Sequence, residues 1–160
     1  ATAMQVELWM IGKTDLPYWR EAQEEYARRL SHYLLFTMRI LPDIRRTARL
    51  SESQQKIQEG LLILKALHPS DSCILLDEKG TEYTSLAFSA HLAKKLQHAS
   101  KRLIFLIGGP YGFSDAIYAR FPERLSITRM TFSHQMVRVI FLEQLYRAMT
   151  IIRGESYHHE

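Results

Sequence analysis

The sequence predicts a single-domain α/β protein with a mostly parallel sheet and flanking helices. Three observations carry that prediction. Five short apolar runs alternate with five amphipathic stretches along the chain, the pattern of repeated strand–helix–strand units. The run Leu103-Ile-Phe-Leu-Ile107 has no polar alternation, so it must be covered on both faces, as central parallel strands are. A chain of 160 residues with 46% apolar and 24% charged side chains matches one globular domain, which excludes a disordered tail, a fibrous repeat or a disulfide-stapled mini-protein.

The elements follow in order. Gln5–Ile11 reads as the first strand, Gly12–Asp15 as a turn, and Asp15 as the N-cap of a helix with Pro17 near its first position. Tyr18, Trp19, Ala22, Tyr26 and Leu30 mark that helix's apolar face. Phe36–Leu41 is the second strand, and the segment from Pro42 to Leu50 a loop carrying Arg45, Arg46 and Arg49. Ser51 with Gln54 forms a capping box for a helix whose apolar face is Ile57, Leu61, Leu64 and Leu67. Ser72–Leu76 is the third strand, Glu78-Lys-Gly80 a turn, and Ser85 the cap of a helix with Leu86, Ala90, Ala93 and Leu96 inward. After the fourth strand at Leu103–Ile107, Gly108-Gly-Pro-Tyr-Gly112 breaks the chain, a short helix starts at Ser114, and a brief strand lies near Arg124–Ile127. A long helix runs from Ser133 to about Arg153, where Gly154 ends it and a polar tail begins.

That last helix is apolar over more than one stripe, from Met136 and Val137 to Ile151 and Ile152. A terminal helix of a small domain cannot bury two faces against its own sheet, so a homodimer through this helix is expected. Glu143 and Arg147, four residues apart, are set to pair on its polar edge.

Cys73 is the single cysteine, so no intramolecular disulfide forms, and it reads as a small buried hydrophobe rather than a reactive thiol. No apolar run approaches the ~20 residues that span a bilayer, and a soluble cytoplasmic protein is expected. Ala1–Ala3 reads as a vector-derived scar before Met4, with the domain covering 4–160. The formal charge of +4 permits a polyanionic partner without demanding one, and the Arg45–Arg49 loop is the best candidate for phosphate contact. His91 and His98 are seven apart and no His-x-x-x-His occurs, so no metal is expected.

Three segments can carry chemistry. Ile107-Gly-Gly-Pro-Tyr-Gly112 lies after the most buried strand, where open parallel sheets bind ligands, yet it matches neither the dinucleotide fingerprint nor a phosphate loop. A plain strand-to-helix turn explains it equally well. Ser126-Ile-Thr-Arg-Met-Thr-Phe132 has no strand or helix period, and could wrap a partly apolar ligand with main-chain groups or simply connect two elements. In the tail, Arg153, Tyr157 and His158 offer a charge, a stacking ring and a group titrating near neutrality, although a tail after a terminating glycine is more often disordered. His134 in the first turn of the last helix reads as structural or capping, and Arg138 is weighed with it.

Taken together, Leu-Ile-Gly-Gly-Pro-Tyr-Gly (106–112), Ser-Ile-Thr-Arg-Met-Thr-Phe-Ser-His-Gln-Met-Val-Arg (126–138), Glu-Gln-Leu-Tyr-Arg-Ala (143–148) and Arg-Gly-Glu-Ser-Tyr-His (153–158) resemble the RlmH family, small SPOUT-class methyltransferases of large-subunit ribosomal RNA. The resemblance runs in order from Met4 through the tail. It implies an S-adenosyl-L-methionine-dependent enzyme that methylates N3 of a pseudouridine in that RNA, together with a homodimer and a C-terminal trefoil knot. The mild net charge of +4 adds the expectation that the substrate is the assembled ribosome rather than naked RNA. Composition and periodicity do not reveal the knot, and the general rule runs against one. The resemblance places cofactor contacts on Leu76, Gly108, Ile127, Thr128, Arg129, Met130, Thr131 and Phe132, and catalytic roles on Arg153, Tyr157 and His158. Pro110-Tyr111 within the glycine turn and an additional His159 depart from the family pattern. Two other readings stay open: a non-catalytic RNA- or ribosome-binding module with a vestigial pocket, and a doubly-wound nucleotide-binding protein, which the missing fingerprint disfavours.

Overall fold

The computed structural model describes residues 5–44, 49–98 and 101–159. Five strands and five helices alternate: β1 (Gln5–Ile11), α1 (Pro17–Leu30), β2 (Leu35–Leu41), α2 (Glu52–Ala66), β3 (Ser72–Glu82), α3 (Ser85–Gln97), β4 (Arg102–Ile107), α4 (Asp115–Arg120), β5 (Arg124–Ser126) and α5 (Met136–Ile152). The strands form one parallel sheet in the order β2-β1-β4-β3-β5. The uninterrupted apolar run of β4 therefore sits at the centre, and Leu103 through Leu106 are essentially inaccessible.

Side chains alternate between two cores. Val6, Leu8, Met10, Leu103, Phe105 and Ile107 face a layer in which α1 and α3 flank α5. Trp9, Ile11, Cys73, Leu75, Ile104 and Leu106 face α2 and α4 through Ile63, Phe113, Ile117 and Phe121. The result is a three-layer sandwich with the carboxyl ends of β1, β3 and β4 along one edge.

Several local expectations hold. Ser51 and Gln54 form both halves of the capping box, with Gln54 N donating to Ser51 Oγ at 3.2 Å and Ser51 N to Gln54 Oε1 at 2.9 Å. Ser114 caps α4, its hydroxyl accepting from Ile117 N. At the end of α5, Gly154 has φ +70°, and Glu155 N and Gly154 N donate to the carbonyls of Thr150 and Ile151 at 2.9 and 3.0 Å. This is the Schellman pattern, which favours glycine.

Others are corrected. Asp15 is not the cap of α1: Pro17 opens the helix, so Leu16 takes the cap position, extended as a residue before proline must be. Asp15 instead binds Gln135, 120 residues away, its N–H donating to Oε1 at 2.9 Å while Gln135 Nε2 donates to its carboxylate at 3.0 Å. Thr84, not Ser85, caps α3, and the Ser85 hydroxyl donates to Gln144 on α5 at 2.9 Å. Glu78-Lys-Gly80 is no turn, because β3 continues through it and pairs with β5 again after a register slip between Leu76 and Thr81. Two helix faces are also rotated. Helix α2 buries Gln55, Glu59, Gly60 and Ile63 and leaves Ile57 and Leu61 exposed, while α3 buries Phe88, Ser89 and Leu92 and leaves Leu86 exposed. Arg45 and Arg46 lie outside the described residues; Arg49 is exposed.

Candidate functional site

Parallel strands end together at one edge, and a ligand there meets main chain that has just left the sheet. Here Leu76, where β3 stops pairing with β4, and Ile107, the last residue of β4, lie beside the glycine turn. Gly112 closes that turn, its N–H donating to Gly109 O at 3.1 Å from a φ of +81° that only glycine adopts readily. Residues 127–132 cross the same edge. The resulting cleft has a volume of about 490 Å3, lined by Leu76, Gly108, Ile127, Thr128, Met130, Thr131 and Phe132 among others.

Both ends of the crossing segment are anchored. On one side Ser126 Oγ donates to Thr128 O at 3.0 Å and Thr131 Oγ1 to Glu78 Oε2 at 3.4 Å. On the other, Ser133 Oγ accepts from Met136 N at 3.2 Å as α5 begins, and Arg138 drives into the β1–α1 corner. Its guanidinium donates to Ile11 O at 2.7 Å, Gly12 O at 3.0 Å and Thr14 Oγ1 at 2.9 Å. Arg138 is 2% exposed, and burial lowers its affinity for the proton. A buried cation held by carbonyls is costly to build, and its place is the point where α5 leaves the cleft.

Of the positions expected to contact a cofactor, Arg129 alone is absent from the cleft lining: its side chain is 89% exposed and pairs with Glu82 at 3.0 Å. The cleft also contains Asp77, Glu78, Tyr118 and Val137, to which sequence reasoning assigns no site role, and His134, to which it assigns a structural or capping one. Tyr118 donates to Asp77 Oδ2 at 2.5 Å and lies under Arg124. Burial and that hydrogen bond together push the phenol's pKa up, so it stays a donor. The signal for Asp77 and Glu78 is present, since they directly follow the apolar run Ser72–Leu76, but the sequence pattern reads Glu78 as the start of a turn and assigns Asp77 no role.

The tail is not loose. It folds back along α5, with the Tyr157 hydroxyl donating to Glu143 Oε1 at 3.1 Å and its ring against Tyr146. The expected Glu143–Arg147 pair forms at 2.6 Å. Arg147 Nη1 lies 3.0 Å from His158 Nδ1, and since a guanidinium can only donate, Nδ1 accepts and the ring proton sits on Nε2. That Nε2 is buried without a hydrogen-bond partner among the described residues. Arg153 packs over Tyr33, whose hydroxyl donates to Glu155 and is thereby pushed up to about 12, with burial adding to the effect.

Cleft and tail do not meet within one chain. Val137 lines the cleft while Arg147 holds His158, and ten helical residues separate them by ~15 Å along the axis. Thus Tyr157 and His158 meet on Arg147 and Arg153 lies over Tyr33, all toward the far end of α5 and away from the proposed cofactor contacts. Among the described residues no cluster of three or more His, Cys, Asp or Glu side chains could hold a metal, and no helix is long and apolar enough to cross a membrane.

Comparison with known proteins agrees in extent with the motifs. A family model described as "Predicted SPOUT methyltransferase" matches residues 4–158. A protein of Parabacteroides distasonis named ribosomal RNA large subunit methyltransferase H is 57% identical over 98% of this chain and 100% of its own length. Proteins of the same name from Porphyromonas gingivalis and Flavobacterium johnsoniae are 54% and 50% identical, again over 98% of this chain and their whole lengths. By full-length match and by identities of this size, the chain belongs to the RlmH family of SPOUT methyltransferases.

Proposed function

We propose that this protein is an S-adenosyl-L-methionine-dependent methyltransferase acting on N3 of a pseudouridine in large-subunit ribosomal RNA, as a homodimer on the assembled ribosome in the cytoplasm. The observation that carries it is the cleft at the carboxyl edge, walled by main chain from 108–112 and 127–132, in a chain of this family. Its size suits a nucleoside. Leu76, Ile107, Ile127 and Val137 supply apolar wall for an adenine ring, and Asp77, Glu78 and Glu52 supply negative charge for a ligand with cationic amino and sulfonium groups. The sulfonium supplies an already activated methyl group, so the protein contributes position and charge environment.

The acceptor nitrogen bears a proton that passes to solvent water before its lone pair takes the methyl group, and the negative charge this leaves on the adjacent ring oxygen needs donors. His158 with Nδ1 engaged by Arg147 offers Nε2–H to the oxygen beside that nitrogen, Arg153 adds positive charge, and Tyr157 stacks on the base. Because these groups lie ~15 Å of helix away from the cleft of their own chain, the reading requires the tail of a second copy at each cleft. Half-buried Val139, Ile140 and Ile151, with Ile152 at 37% exposure, leave α5 apolar surface for that contact. We take the family's trefoil knot to form where 127–135 crosses the carboxyl edge from β5 to the corner after β1.

The assembled ribosome is favoured over naked RNA because much of the positive charge is already paired: Arg28 and Arg29 with Glu25, Lys95 with Glu123, Arg147 with Glu143. The test is methyl transfer from labelled S-adenosylmethionine to large subunits, with cofactor binding measured separately. His158→Ala should bind cofactor and fail to transfer; full activity removes His158 from the mechanism. A mixed dimer of His158→Ala with Gly108→Val should recover one working site in heterodimers, and no recovery argues against a shared site. Absence of cofactor binding at millimolar concentration favours the non-catalytic reading.

A further inference from the structure

Helix α2 is built against its own sequence. Its apolar residues Ile57 and Leu61 are 51% and 55% exposed, while Gln55 and Glu59 are each 4% exposed. Burying a carboxylate in place of available apolar side chains costs stability, and such conflicts between local pattern and fold concentrate at functional positions. What Glu59 touches is the glycine turn. A Cβ at Gly109 would lie 2.6 and 2.7 Å from the two carboxylate oxygens of Glu59. Gln55 Nε2, one helical turn earlier, donates to Glu59 Oε2 at 3.2 Å and steadies the carboxylate. The close approach continues along α2, since a Cβ at Gly60 would stand 2.7 Å from the Ser114 hydroxyl that caps α4. Gly109 does not have a positive φ, so its own backbone admits alanine and the carboxylate is what forbids a side chain there.

From this geometry we propose that Glu59 is a positioning residue of the cleft: it props the 108–112 turn from the side opposite the cleft and sets the height of the main chain that lines it. The assignment of the turn to cofactor binding rests on the proposed function; the propping itself does not. Residues that hold a binding loop from behind act on affinity more than on the chemical step.

The test combines amide hydrogen exchange of 108–112 in the ligand-free protein with calorimetric titration of S-adenosylmethionine, for Glu59→Ala, Glu59→Gln, Gly109→Ala and the double variant Glu59→Ala/Gly109→Ala. Glu59→Ala should speed exchange in the turn about tenfold and raise the cofactor Kd by a similar factor, with kcat at saturation nearly unchanged. Glu59→Gln, which keeps the shape, should rescue most of both effects; if Glu59→Ala does not fold, Glu59→Asp, which withdraws the carboxylate from Gly109 by one methylene, takes its place and should speed exchange in the same direction. Gly109→Ala should weaken binding sharply in the native background and have little further effect once Glu59 is alanine. Unchanged exchange at 108–112 in Glu59→Ala, or in Glu59→Asp where that variant replaces it, or strictly additive effects in the cycle, overturns the proposal. Altered exchange in a protein that binds no S-adenosylmethionine would support the prop and refute the cofactor assignment.

Discussion

Arg138 offers the sharpest test of how the cleft is held together. Its guanidinium is the buried joint between the start of α5 and the corner after β1, donating to two carbonyls and to Thr14 Oγ1. Thr14 keeps a second donor, Gln23 Nε2 at 2.7 Å, so truncation removes the guanidinium donor chiefly from Ile11 O and Gly12 O. Each buried acceptor left unmade costs about 1–3 kcal/mol, a cavity adds to this, and release of the buried cation subtracts from it. The net expectation for Arg138→Ala is a loss of about 2–4 kcal/mol, or roughly 5–15 °C in Tm. Arg138→Met keeps most of the volume and should lose about half as much. The assay is urea unfolding at one fixed protein concentration, because association would shift the apparent stability. Both variants should also bind cofactor more weakly, since Val137, the preceding residue, lines the cleft. A methionine variant as stable as the native protein would show that the packed stem, and not the guanidinium, holds the corner.

Gly154→Ala forces a side chain into φ +70° with no neighbour to accommodate, so it should cost about 1–2 kcal/mol of backbone strain and lower Tm by a few degrees, measured by calorimetry. Asp71 is opposed by burial, but its bidentate contact with Arg102 at 2.7 and 3.0 Å and the His68 amide win and hold it below its ordinary value of 3.8. A depressed carboxylate stabilises the fold above its unfolded pKa and loses that contribution as pH falls through the folded one; urea midpoints should therefore drop below about pH 4, with a shallower drop in Asp71→Asn. Burial pushes the Cys73 thiol up to about 12, so an alkylating reagent at pH 8 should label it only after denaturant is added. Rapid labelling of the native protein would contradict the packing of β3.

The succession of elements, the caps at Ser51 and Ser114, the stop at Gly154 and the glycine turn at 108–112 that walls the cleft were all legible in the amino-acid order. Each depends on dihedral preferences or hydrogen bonds closed within a few residues. Residues 127–132 were legible through family resemblance, because their pattern has no period of its own. Only the folded chain decided which face of α2 and α3 turns inward, since an apolar stripe states a preference and the neighbours on the sheet choose. It carried β3 through Glu78-Lys-Gly80 as a slip between two pairings with Leu125 of β5, and it moved Asp15 from a cap to a clamp on Gln135. It also separated the tail from the cleft by the length of α5. All of these depend on contacts between residues distant in the chain, whose geometry no local pattern encodes.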